Sequence, residues 1–181
     1  MTTPLRRIAI YCGSRPGNSP AYAEAAASLA RTLAEAGIGI VYGGSRNGLM
    51  GIIADTALAC GGEVIGVIPD LLNKHERAHP NLTQLHHVAS MHERKALMAE
   101  LADGFIALPG GVGTLDELIE IWCWAGMGSH AKPCACLDVD HYWQPLFDLL
   151  AHIRHEGFSH GEQQLLRSDD PQQLLALMAA H

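Results

Sequence analysis

The 181-residue sequence predicts a doubly wound α/β fold, a parallel sheet with helices on both faces, formed as a single domain over residues 1–181. Three observations carry this expectation. Strand-like and helix-like segments alternate along the whole chain, the pattern of βα units. The runs IAIYC, IGIVY, EVIGVI and GFIALP are apolar on both faces rather than alternating, as strands are when helices cover both sides of a sheet. Glycine clusters follow three of these runs, at the carboxyl ends of strands where ligands bind in open α/β sheets.

In order, Ile8–Cys12 is the first strand and ends in Gly13-Ser14. Ala21–Ala36 repeats Ala and Leu at helical spacing and stops at Gly37. Ile38–Tyr42 is a strand ending in Gly43-Gly44-Ser45, Leu49–Cys60 a helix stopping at Gly61-Gly62, and Val64–Ile68 a strand closed by Pro69. Leu85–Val88 is a short fourth strand. Met91–Leu101 is helical, Phe105–Leu108 a strand and Leu115–Met127 a helix. Cys134–Val139 reads as the final strand, with Tyr142–His155 and Pro171–Ala180 as closing helices. No repeat, low-complexity tract or linker interrupts the series.

Composition narrows the function. With 48% hydrophobic and 17% charged residues the chain folds rather than staying disordered. Nineteen acidic against twelve basic residues give a net charge of −7, which argues against general nucleic-acid or anionic-membrane binding. An anionic ligand therefore needs locally concentrated positive potential. Five scattered cysteines, Cys12, Cys60, Cys123, Cys134 and Cys136, read as reduced thiols of a cytoplasmic protein. Cys134 and Cys136 share a strand face, but no second pair has zinc spacing, so no metal is expected. The first residues run into a strand pattern without a signal-peptide apolar region, and no stretch of ~18 apolar residues spans a membrane.

The most informative segment is Pro109-Gly110-Gly111-Val112-Gly113-Thr114-Leu115-Asp116-Glu117. A strand ends, glycines turn the chain, and a helix opens near Thr114. Glycines admit positive φ and close approach of a ligand to the backbone, and the helix mouth offers unpaired N–H groups for a phosphate. Directed hydrogen bonds to a charged group, at ~1.5–3 kcal/mol each, outweigh the ~0.3–1 kcal/mol of the helix dipole. The plainer reading is an ordinary tight turn with Thr114 as N-cap. The glycines do not fall as G-x-G-x-x-G, and Leu49 stands where a P-loop at Gly43–Gly48 needs lysine. Hydride transfer and nucleoside triphosphate hydrolysis lose support accordingly.

MHERKA (Met91–Ala96) paired with PGGVGTLDE (Pro109–Glu117) closely resembles the LONELY GUY family of cytokinin riboside 5′-monophosphate phosphoribohydrolases, formerly mislabelled lysine decarboxylases. YCGSRPGNSPAY (Tyr11–Tyr22), VYGGSRNGLMG (Val41–Gly51), VIPDLL (Val67–Leu72) and KPCACLDVDHYW (Lys132–Trp143) extend the resemblance over nearly the whole chain. It implies a Rossmann-like fold and hydrolysis of the N-glycosidic bond of adenine nucleoside 5′-monophosphates to free base and ribose 5-phosphate. No metal or organic cofactor is implied. Residue by residue, Arg94 and Glu117 are similar to the catalytic pair. Glu76, Arg94, Lys95, Gly110, Gly111, Val112, Gly113, Thr114, Leu115, Asp116 and Cys123 are similar to substrate-binding positions. Two departures bear on the preferred base: Cys123 replaces a threonine frequent in plant members, and Arg46-Asn47 replaces small residues of the second glycine loop.

The residue chemistry agrees. Breaking a ribosyl C–N bond builds positive charge on the sugar, as in glycoside hydrolysis. Glu117, one turn inside the helix behind the phosphate loop, suits the ribose, where a carboxylate stabilises that charge or activates water. Arg94 suits phosphate or ribose oxygens and can orient Glu117. Taken alone, Glu117 reads equally as a surface carboxylate, and Arg94 and Lys95 as a solvated helix face. His75-Glu76-Arg77-Ala78-His79 fits H-E-x-x-H, but Pro80 biases His79 away from helical dihedrals and no further ligand motif follows, so zinc hydrolysis is not expected. A pyridoxal-phosphate decarboxylase needs a Schiff-base lysine, and Lys95 is the only lysine near the motifs.

Leu118, Ile119, Ile121, Trp122, Trp124 and Met127 cover more than one stripe of their helix, which is therefore fully buried or meets another subunit. Family members resemble homodimers with active sites near the subunit interface, so a homodimer is expected. The rival function is a non-catalytic nucleotide or molybdenum-cofactor carrier on the same architecture, because fold does not fix function. A carrier requires the glycine loop but no carboxylate at the ribose.

Overall fold

The computed structural model describes residues 4–72, 77–159 and 164–181. Among these, seven strands form one parallel sheet: β1 (Arg7–Tyr11), β2 (Gly39–Tyr42), β3 (Val64–Pro69), β4 (Gln84–Val88), β5 (Gly104–Ala107), β6 (Cys134–Leu137) and β7 (Leu166–Ser168). Their order is β4-β3-β2-β1-β5-β6-β7. The chain winds outward from β1 to β4, returns to the other side of β1, and winds outward again. The order reverses between β1 and β5, which pair in the register Ala9↔Phe105 and Tyr11↔Ala107.

The main helices among the described residues are α1 (Pro20–Glu35), α2 (Gly48–Ala59), α3 (Met91–Leu101), α4 (Val112–Gly126), α5 (Gln144–His155) and α6 (Pro171–Ala179). Ser19, Ser90 and Asp170 start α1, α3 and α6 by accepting from the amides of Ala21, Glu93 and Gln173. Glu93 in turn reaches back past Ser90 and accepts the Ala89 amide at 2.9 Å, a one-residue variant of the capping box. Alternate strand residues explain the apolar runs. Ile8, Ile10, Ile40, Tyr42 and Ile106 pack under α1, α2 and α6, while Ala9, Tyr11, Val41, Phe105 and Cys136 pack under α3, α4 and α5. The predicted doubly wound architecture is the observed one.

Two local expectations are corrected. The sequence reading has no strand after residue 139, yet β7 pairs with β6 (Ala135↔Leu166, Leu137↔Ser168). Three residues are too few for an apolar run, and the middle one is Arg167, held by the buried Asp138 (Nε–Oδ2 2.7 Å). Helix α4 opens at Val112 with Gly111 as N-cap, and no side chain caps it. Thr114 is therefore not the N-cap. It lies inside the first turn, 4% exposed.

Candidate active site

The carboxyl ends of β1, β2, β3 and β5 converge on one side of the sheet. The loops after β1 and β5 are tied together there, Leu108 N–H donating to Tyr11 O (2.9 Å) and Gly13 N–H to Pro109 O (3.2 Å). Next to this junction lies a cavity of about 210 Å³, lined among others by Ser14, Gly43, Met91, Arg94, Thr114 and Glu117. A second cavity of about 340 Å³ adjoins it across Gly13, Ser14 and Gly111, with Arg15, Tyr22 and Tyr142 on its wall. Both sit at the switch point, where the fold leaves a crevice between diverging crossover connections.

Arg94 is the least expected feature. It stands in the first turns of α3, where the sequence alone suggests a solvated face, yet it is only 4% exposed. Its Nε donates to Val67 O at 3.0 Å and one terminal nitrogen to Gly43 O at 2.6 Å. The ends of β3 and β2 thus supply carbonyl dipoles that keep a buried guanidinium hydrogen-bonded, without which its desolvation would be prohibitive. Gly43 is obligatory for this arrangement, because a Cβ there would fall 2.1 Å from the Arg94 terminal nitrogen. In an acidic chain, this places a concentrated positive charge on the cavity wall.

Glu117, in the second turn of α4, is half-buried and lines the same cavity. Its charge is felt at the strand end below. Burial first, and the Glu117 carboxylate second, push the Cys12 thiol and the Tyr11 phenol well above their ordinary ranges. Both shifts favour the protonated forms, so Cys12, which lines the cavity, is disfavoured as a nucleophile.

The glycine loop differs in detail from its sequence reading. None of Gly110, Gly111 and Gly113 has positive φ. Gly110 is required by packing, since a Cβ would lie 2.1 Å from Thr114 Oγ1. At Gly111 and Gly113 a Cβ would meet nothing within 4 Å. Those positions border open cavity, and glycine there lets a ligand reach the backbone.

The structure brings Arg94, Gly111, Gly113, Thr114, Asp116 and Glu117 around one cavity, and places Gly110 on the wall of its neighbour. Val112 points outward, 82% exposed. Lys95 is tied to Asp116 (3.0 Å) and Glu120 (2.8 Å) on α4, between the two helices. Leu115 and Cys123 lie instead along an apolar groove of about 710 Å³ between α4 and α5. Glu76 and His75 fall outside the described residues. His79, the last residue of the H-E-x-x-H match, is engaged elsewhere: Nε2 faces Asp55 Oδ1 at 2.9 Å, and Nδ1 accepts the Asn81 amide. The adjacent Ala78 bridges Ser45 in an extended pairing. Sequence reasoning placed Gly43 in a strand-end glycine cluster but named neither it nor Met50 and Met91 as site residues. The strand-end position of Gly43 was the available signal.

Fold and cavity together define a Rossmann-like α/β protein with a small-molecule site at the switch point of its sheet. Residues 50–178 match the family model described as "Possible lysine decarboxylase". A cytokinin riboside 5′-monophosphate phosphoribohydrolase of Rhodococcoides fascians is 47% identical over 154 residues, 84% of this chain and 78% of its own length. One of Arabidopsis thaliana is 45% identical over 85% of this chain and 71% of its own. The chain belongs to this family, the LONELY GUY phosphoribohydrolases, and is an enzyme of the hydrolase class. Among solved structures, a molybdenum cofactor binding protein of Rippkaea orientalis superposes with a TM-score of 0.72 at 21% identity, covering 98% of this chain and 97% of its own. The molybdenum cofactor carrier protein of Chlamydomonas reinhardtii gives 0.69 at 19% identity, covering 96% and 99%. At these identities the likeness is one of fold alone.

The decarboxylase description does not fit the lysines described here. A Schiff-base lysine needs a lowered pKa. Burial does oppose the Lys95 ammonium, but its hydrogen bonds to Glu120 and Asp116 prevail and raise it above the ordinary lysine range. Lys132 donates to Ala99 O at 2.7 Å, away from the cavity.

Proposed function

We propose that this enzyme hydrolyses the N-glycosidic bond of adenine-type nucleoside 5′-monophosphates, cytokinin riboside 5′-monophosphate or AMP, releasing free base and ribose 5-phosphate and so activating cytokinin. The observation that carries the proposal is the meeting of a buried arginine, a carboxylate and an open glycine-rich helix mouth in one cavity. In this reading the 5′-phosphate takes the amides at the start of α4 and the Thr114 hydroxyl. Arg94, its fork fixed by two carbonyls, binds ribose or phosphate oxygens without losing rotamer freedom on binding. Glu117 lies at the anomeric carbon, stabilises the oxocarbenium-like centre and receives a proton from the attacking water. The water oxygen bonds to C1′ as the C–N bond breaks; the departing base takes a proton from solvent and Glu117 returns the water's proton to solvent, so no net proton is consumed. Lys95 holds Asp116 and Glu120 and thereby sets the pitch of α4 against α3. Glu76 is retained as a substrate contact. Relatives named for this activity at about 45% identity favour hydrolysis over a cofactor carrier, which shares only the fold.

The test is direct. Purified protein incubated with AMP and with isopentenyladenosine monophosphate should release free base from at least one. Adenosine, lacking the anionic anchor, should react at least ~10-fold more slowly, the loss of about one charged hydrogen bond. Equal rates on adenosine would reject the phosphate site, and no release from any nucleotide would leave the carrier.

We further propose a cytoplasmic homodimer that acts as one domain per subunit. The five free cysteines suit a reducing compartment. The α4–α5 groove exposes Met127 (75%) and Leu149 (53%) beside Leu115, Ile119 and Trp122, an apolar face that a second copy would cover. Cys123 lines this groove and neither cavity, so a substrate contact from Cys123 requires the neighbouring subunit. Met127→Glu should convert a dimer to a monomer in light scattering and sharply reduce turnover. A wild-type monomer with full activity would contradict the assembly.

A further inference from the structure

We propose that Tyr142 is a positioning residue of the phosphate-binding loop: its hydroxyl sets the peptide plane whose amide grips the anion. The inference rests on the phosphate reading above and extends it to a residue outside the 210 Å³ cavity.

Tyr142 O–H donates to Gly110 O at 2.5 Å. In a planar trans peptide the carbonyl and the following N–H point in opposite directions, and the described backbone contains no cis bond. Drawing Gly110 O toward Tyr142 therefore directs the Gly111 N–H the other way. The preceding unit is held likewise, since Pro109 O accepts from Gly13 N–H. Two consecutive peptide planes at the mouth of α4 are thus oriented from outside the loop, one by backbone and one by this single hydroxyl. That control matters here because Gly110 and Gly111 carry no side chain to restrict them, and no side chain caps α4.

Tyr142 is itself firmly placed. The turn before it holds two non-glycine residues in the left-handed region, Asp140 (φ 49°) and His141 (φ 59°). Such strain persists only where its surroundings impose it. Asp138, 4% exposed, accepts the Trp143 amide at 2.7 Å and pairs with Arg167 of β7. The Tyr142 ring packs edge-on against Tyr22 (5.8 Å) and Trp143 (5.1 Å). The residue is still 37% exposed, so its hydroxyl bond adds little to folding; its consequence is the orientation of an amide. The strained turn and the third strand of the return half thereby gain a role at the site.

Tyr142→Phe keeps the ring contacts and removes only the donor. Calorimetric binding of ribose 5-phosphate should weaken about tenfold. KM for the nucleotide should rise by a similar factor with kcat little changed, while competitive inhibition by adenosine and the thermal midpoint stay at wild-type values. A merely structural role would shift adenosine binding and the midpoint together and would overturn the proposal, as would unchanged ribose 5-phosphate affinity. Tyr142→Leu, which also loses the ring, should weaken ribose 5-phosphate at least as much; wild-type affinity in that variant would overturn the proposal equally. Failure of the wild-type protein to bind ribose 5-phosphate would instead reject the phosphate site itself, and this inference with it.

Discussion

Glu117→Gln is expected to lower kcat for nucleotide cleavage by about 10²- to 10⁴-fold, the range for losing a positioned acid–base group, with ribose 5-phosphate binding retained. The substitution keeps the size of the side chain and removes its charge. The α4 helix needs neither, because its apolar positions Leu118, Ile121 and Ala125 are what face the core. In the proposed mechanism the charge acts where positive character develops on the sugar and where the water gives up its proton. Single-turnover assays with AMP, beside calorimetry with ribose 5-phosphate, separate the two effects. Base release that continues undiminished in the variant would place the catalytic carboxylate elsewhere.

Gly43→Ala is expected to lower kcat/KM by about 10²-fold or more, the scale of a displaced transition-state contact, although residue 43 bears no functional group. Its φ is not in the left-handed region, so alanine suits the backbone. The added methyl, however, would fall 2.1 Å from the Arg94 terminal nitrogen and 3.0 Å from Met50 Sδ. The guanidinium must leave the carbonyls of Gly43 and Val67, and a buried charge that loses its partners is destabilising as well as misplaced. A loss of roughly 1–3 kcal/mol of stability should accompany the change. Gly43→Ala and Arg94→Ala should be strongly non-additive in a double-mutant cycle, because both act through one side chain. Additive losses would show that residue 43 matters for another reason.

The fold was readable because both faces of the sheet are buried. Ile8, Ala9, Ile10 and Tyr11 are all buried although they alternate between the two helix layers, and that arrangement writes an uninterrupted apolar run into the sequence. β7 was hidden for the converse reason, its centre being Arg167, whose partner Asp138 lies in the loop after β6. The site was legible only in part. The glycine segment announced a helix mouth, but Thr114 was open to misreading as its cap, because the serine-threonine preference for capping applies to a residue one step before the helix and α4 starts at Val112. Arg94 could not be distinguished from a surface arginine. Its burial depends on carbonyls from Val67 and Gly43, 27 and 51 residues away, a relation no local periodicity encodes. Leu115 and Cys123 illustrate the reverse: positions suggested by resemblance that lie, within one chain, on the opposite, apolar side of α4.

A crystal structure of the Glu117→Gln variant soaked with AMP tests the central claim most directly. The phosphate oxygens should lie about 3 Å from the amides between Gly111 and Thr114, with C1′ of the ribose next to the side chain at position 117 and the Arg94 fork on the sugar or phosphate oxygens. A nucleotide bound with its phosphate away from the mouth of α4, or with C1′ beyond the reach of position 117 in every subunit, would contradict the account.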